Sequence, residues 1–217
     1  MARVLLVINA SHDPPTEYLH SWCEKILEFA RDKEDIVYLE LSGHNATKEK
    51  FEKNIAEKEP QLIIFNSHGT EDAIQGYPSE VLIKCDQNEG ILKERIVHAM
   101  SCEAGRKLGP QCVKFGTRAY IGYSQKFKLA CEKRETKEKQ LNDQYAGFVL
   151  EPAFEAVLAL VQGNTAEEAF RRSQRKAAET LRLLLTKTST PNLESAASQL
   201  YHNFTNQVCL GDLAAKF

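Results

Sequence analysis

An α/β fold, with a parallel sheet covered by helices on both faces, is predicted by three features of this sequence. Short apolar-rich runs recur at residues 4–8, 36–41, 62–65, 96–100 and 119–123, and such runs between turn residues read as buried strands. Helical apolar spacing at 16–30 and 47–58 alternates with the first three of them, which is β-α-β-α-β order. No linker-like stretch divides the 217 residues, so a single domain, 1–217, is expected.

Each element has a local cause. Val4 to Ile8 is unbroken aliphatic sequence, as a strand covered on both faces requires. The turn after it, 9–15, carries neither Gly-x-Gly-x-x-Gly nor Gly-Lys-Ser/Thr, which argues against the common nucleotide sites. Thr16 suits an N-cap, and Leu19, Trp22, Cys23, Ile26 and Ala30 share one face of the helix that follows. Phe51 and Ile55 mark the buried side of a helix over 47–58, and Pro60 ends it before the third strand.

Residues 81–84 suggest a short strand, 90–95 a brief helix, and 105–115 a helix interrupted at Gly109-Pro110. Residues 126–144 are strongly charged and read as a mobile, solvated loop or an exposed, mobile helix. A helix with Pro152 in its first turn, a second opened by the capping box Thr165-x-x-Glu168, and a third over 193–204 come next. A last strand is expected over 208–212.

Composition narrows the function. The formal charge of −2 is spread along the chain, so a nucleic-acid partner is not expected. No apolar run reaches membrane-spanning length, which predicts a soluble, cytoplasmic protein with no membrane partner. The six cysteines stand apart, with no Cys-x-x-Cys pair and no nearby His at zinc-ligand spacing, so neither a metal nor another cofactor is expected. Cys23, Cys85 and Cys209 fall in apolar patterns and read as structural.

Two residues able to do covalent chemistry follow predicted strands. The 62–65 run leads through Asn66-Ser67 to His68-Gly69, and the 96–100 run leads through Ser101 to Cys102 and Gly105. Ligands bind open parallel sheets beyond the strands' carboxyl ends. A cysteine nucleophile needs an environment favouring the thiolate and a neighbouring base. Free N–H groups and the dipole of a helix after Cys102 are expected to supply the first, and His68 the second. His98 is too distant, since four residues of strand separate it from Cys102 by about 13 Å.

The sequence Ser67-His68-Gly69 followed by Ser101-Cys102-Glu103-Ala104-Gly105 resembles the caspase-fold cysteine peptidases, a group that includes legumains, gingipains, separases, metacaspases and CHAT-domain proteases. Tyr120-Ile121-Gly122-Tyr123-Ser124 resembles their substrate-binding strand edge, and Leu210-Gly211-Asp212 a Gly-Asp segment near the end of CHAT and gingipain-like domains. The chain departs from the caspase signature around the cysteine, and His68 lies only 34 residues upstream. Cys102-Glu103-Ala104-Gly105 is nearer the legumain form.

The resemblance implies a three-layer sandwich with a mostly parallel, six-stranded, caspase-like sheet. It implies catalysis by His68 and Cys102, an oxyanion held by the amides of Gly69 and Cys102, and a peptide or protein substrate, with room for an activating partner. It places Asp13, Met100 and Ser124 at the substrate. The carboxylates of Asp13 and Glu17 suggest a basic residue before the scissile bond, although they equally suit a helix start. Self-cleavage within 126–144 is then one expectation, since its lysines and Arg134 would offer sites, and a plain solvated insertion is the other. Two other readings stay open: a catalytically silent binding or regulatory protein of the same fold, and a flavodoxin-like ligand-binding module with Cys102 merely packed.

Overall fold

A computed structural model describes residues 2–132, 136–186 and 190–217. The fold is α/β, a three-layer sandwich around a six-stranded sheet. Strand β1 (Arg3–Asn9) lies between β2 (Ile36–Ser42) and β3 (Leu62–Asn66). Beyond β3, a hairpin of β4 (Ala73–Gln75) and β5 (Val81–Lys84) leaves the sheet before the chain returns as β6 (Ile96–Met100), followed by β7 (Ala119–Tyr123) and β8 (Gln207–Gly211). The order is β2-β1-β3-β6-β7-β8, parallel throughout except for β8 against β7.

Side-chain alternation splits the core in two. Leu5, Val7, Leu62, Ile64, Ile96, Met100 and Ile121 face helices α1 (Pro14–Arg31) and, further along the chain, α5 (Gln144–Val161). Leu6, Ile8, Ile63, Phe65, Val97, Ala99 and Tyr120 face α2 (Lys48–Lys58), the β4–β5 hairpin and α3 (Leu108–Lys114). Every residue of β3, β6 and β7 is buried, which is why these strands are apolar nearly end to end. Helices α6 (Ala166–Thr186) and α7 (Pro191–Asn206) pack with α5 in a third cluster that includes Ala177, Leu184, Ala196 and Leu200.

Several boundaries differ from expectation. Helix α1 is capped by Asp13, whose side chain accepts from the Thr16 amide; Thr16 is the reciprocal partner in this capping box. Pro110 sits in the first turn of α3, where its missing N–H has no intrahelical acceptor to lose, so it does not interrupt the helix. Helix α5 begins at Gln144, well before Pro152, because the buried Asp143 caps it through the amides of Tyr145 and Ala146. Asp143 also accepts from the Tyr18 hydroxyl at 2.7 Å and the Glu132 amide at 2.6 Å. By length and hydropathy α5 could cross a membrane, yet its apolar residues pack against α1, α6 and α7.

The charged segment holds a short, largely exposed helix and is anchored to the core at a few points. Among its described residues Phe127, Leu129 and Cys131 pack against the core and Ala130 is buried, while Lys126, Lys128, Glu132 and the lysines of 137–139 are exposed. Asn203 of α7 holds Lys128 by both backbone groups, at 2.8 and 2.7 Å. A short helix α4 (Lys137–Leu141) buries Gln140, which accepts from Ser21 and Trp22. Lys133 and Arg134 lie outside the described residues.

Candidate active site

Parallel pairing of β3 with β6 sets Asn66 opposite Met100. The register continues one residue on, where the Ser67 and Ser101 hydroxyls are 3.1 Å apart. His68 and Cys102 each stand two residues beyond the ends of these neighbouring strands, so both follow the carboxyl edge of the sheet. The glycine after the histidine is dictated by this crowding. A Cβ on Gly69 would come within 2.9 Å of the Ser101 Cβ, 3.0 Å of the Ala73 carbonyl and 3.1 Å of the Cys102 carbonyl.

Gly105 has a similar reason, since a Cβ there would meet the Tyr123 backbone at 2.9 Å and Val208 at 2.7 Å. Its amide donates to the Tyr123 carbonyl at 2.9 Å, and Glu103, at φ +59°, turns the chain sharply after the cysteine. The chain after His68 is fixed by bonds from Gln75 N–H to the His68 carbonyl and from Thr70 N–H to the Ala73 carbonyl. Those two bonds leave the Gly69 amide out of the pairing.

His68 is oriented from a third strand. The turn after β1 brings Asp13 beside it, with Oδ2 at 2.6 Å from the ring Nε2. The other carboxylate oxygen, Oδ1, serves the helix cap and the Thr16 hydroxyl. Burial pushes the Asp13 carboxyl up, but the bonds to Thr16 and His68 outweigh it and hold it below the usual range. With Nε2 engaged, Nδ1 is the His68 nitrogen left to exchange a proton with a substrate or thiol. Among the described residues no hydrogen bond joins the His68 ring to Cys102.

The thiol differs from the sequence reading in one respect. Helix α3 starts at Leu108, six residues beyond Cys102, so no helix terminus stabilises an anion there. Burial pushes the Cys102 thiol above its ordinary value; the Phe127 amide facing it, then Lys126 and Lys128, draw it back only part of the way, while Glu103 adds to the rise. These surroundings favour the thiol over the thiolate.

The three residues expected at the substrate have different surroundings. Asp13 is the partner of His68 and the cap of α1. Met100 is buried in the core against α1 and α5 and does not reach the cleft, because its side of β6 is covered. Ser124 follows β7, but its amide already donates to the Asn206 carbonyl at 2.9 Å and its hydroxyl to the same oxygen at 3.2 Å. Glu17 stands in the first turn of α1.

Two residues escaped the sequence reading. His12 stands beside His68, ring centroids 5.5 Å apart, and its Nδ1 is buried without a hydrogen-bond partner. Asn66 joins the strand ends by donating to Asn9 Oδ1 at 2.8 Å, and Asn9 in turn donates to Glu40. An Asn at the end of each of two apolar strands was the available signal for that link. Comparison with protein-family models and with curated proteins finds no match to this chain.

Proposed function

We propose that this chain is a cysteine endopeptidase of the caspase-fold kind, with Cys102 as nucleophile, His68 as proton carrier and Asp13 as the residue that orients His68. The observation that carries the reading is the pairing of β3 with β6, the neighbouring strands that His68 and Cys102 follow, together with the bond between Asp13 and His68 Nε2. The six-stranded, mostly parallel sheet between helices that the resemblance implies supports it.

The substrate in this reading is a peptide. Cys102 Sγ attacks the carbonyl carbon as its proton passes to His68 Nδ1, and the amides of Gly69 and Cys102 hold the oxyanion. Collapse breaks the C–N bond, and the leaving amine takes the proton from His68. Water then attacks the thioester, giving a proton to His68, and the acid leaves as Cys102 regains its proton. Because burial favours the thiol, proton transfer to His68 accompanies attack in this reading. Asp13 enters this reading as the partner of His68 and not as pocket lining. Six free cysteines fit a reducing compartment, which makes the cytoplasm the proposed location.

The test is a peptide library varied before the scissile bond, incubated with wild type, Cys102→Ala and His68→Ala and read by mass spectrometry. Wild type cleaves, and both variants, whose lost groups lie outside the core, fold and do not cleave. Equal cleavage by Cys102→Ala overturns the proposal. A wild type that binds library peptides without cutting them gives the site to a silent binding protein.

A further inference from the structure

The geometry points to a site for a single Zn²⁺-class divalent ion formed by His12, Asp13 and His68, where the ion blocks the proton-carrying imidazole. One donor atom from each of the three residues lies within 4.8 Å of the others, and all three are half-buried. On a tetrahedral zinc ion with bonds of about 2.0–2.1 Å, donor atoms stand about 3.3 Å apart. Small side-chain rotations therefore bring the three onto one ion. Two imidazoles and a carboxylate are a donor set zinc accepts, leaving a fourth position for solvent.

A second observation is independent of that clustering. His12 Nδ1 is buried and has no hydrogen-bond partner among the described residues. A polar nitrogen in that condition costs free energy that bonding to an ion would recover. The His12 ring is held edge-on to both His68 and Tyr77, with centroids 5.5 and 5.9 Å away, so the ring is packed in place next to the other two donors. The sequence hides the set because its members come from the turn after β1 and the end of β3, 55 residues apart. Asp13 Oδ1 is committed to the cap, which leaves Oδ2, the oxygen facing His68, as the one that would bind.

The consequence for catalysis rests on the peptidase reading; the binding does not. An ion between Asp13 and His68 replaces the proton held on Nε2. The neutral imidazole then carries its proton on Nδ1 and has no lone pair there to accept the proton of Cys102.

The experiment measures Zn²⁺ binding by calorimetry and Co²⁺ binding by visible absorption, in Cys102→Ala protein and in Cys102→Ala also carrying His12→Ala. One ion per chain is expected in the first, with binding weakened by more than about tenfold in the second. His44→Ala, which changes another ring packed on Tyr77, serves as the control and keeps full affinity. No stoichiometric binding, or equal binding with and without His12, overturns the site. Peptide cleavage is assayed separately in protein with Cys102 intact: Zn²⁺ inhibits wild type and inhibits His12→Ala at least about tenfold less effectively. Binding without any cleavage would sink the peptidase reading and leave the metal site standing.

Discussion

Asp13 Oδ2 lies 2.6 Å from His68 Nε2, while Oδ1 of the same carboxylate caps helix α1. One residue thus couples the start of a helix to the orientation of the imidazole, and substitution can separate the two roles. Asparagine caps a helix about as well as aspartate, whereas alanine loses roughly 1 kcal/mol. Asp13→Asn is expected to unfold at the wild-type denaturant midpoint and lose at least about 100-fold in kcat, the scale of a general acid-base contribution. Asp13→Ala should lose the same rate and also destabilise the fold. If Asp13→Asn keeps full kcat, the carboxylate acts only as a cap.

The Cys102 thiol is raised by burial, so its alkylation should be slow at neutral pH and climb as pH passes above the ordinary thiol range. Cys23 and Cys112, both buried and pushed up to about 12, should stay unlabelled in the native fold. Iodoacetamide labelling followed by peptide mass mapping over a pH series measures this. A rate at Cys102 that is already at its plateau below neutral pH would show a resting thiolate and overturn the assignment.

Asn203 holds Lys128 by both its N–H and its carbonyl, and so keeps Phe127 against the sulfur. Asn203→Ala leaves two backbone groups unsatisfied and is expected to cost about 1–3 kcal/mol. It should also speed Cys102 alkylation and increase nicking between residues 126 and 132 under limited proteolysis. Unchanged labelling and proteolysis in a folded Asn203→Ala protein would mean that the segment is held by its apolar contacts alone.

The strands beneath the candidate site were legible because burial on both faces forces apolar runs, and His68 and Cys102 drew attention because each stands two residues beyond such a strand. Asp13 was visible as an acid near a helix start, but its bond to His68 is made across 55 residues, and no local pattern encodes that. The anchors of residues 126–144 were hidden for a related reason. Their charges dominate the composition, while the few groups that anchor them, Phe127, Gln140 and Asp143, find partners on α1 and across the core. The absence of a helix terminus at Cys102 was hidden too, because Glu103 at positive φ and the close approach of Gly105 to β7 turn the chain before α3 can begin.

His98 supplies the last expectation. It lies in the middle of β6, opposite Ile64 on one side and Ile121 on the other, on the sheet face that carries Ile96 and Met100. It is fully buried, and both ring nitrogens lack partners among the described residues. Burial alone pushes its pKa down to about 3. The unfolded chain binds this proton near pH 6.5, so between pH 6.5 and about 3 the unfolded state carries a proton that the native state refuses. Stability must therefore be fully present above pH 6.5 and fall on acidification, with a slope approaching roughly 1.4 kcal/mol per pH unit from this one group. Glu40, held down to about 2 despite its burial by bonds to His20 and Asn9, adds its own acid-side loss only once the pH drops below the ordinary carboxylate range. Denaturant unfolding of wild type and His98→Leu at intervals between pH 5 and 7.5 isolates the histidine. The leucine variant should hold its stability as pH falls while wild type declines, so that the gap between them widens toward pH 5. Two curves that run parallel over this range would mean that His98 finds a proton acceptor or solvent in the native state.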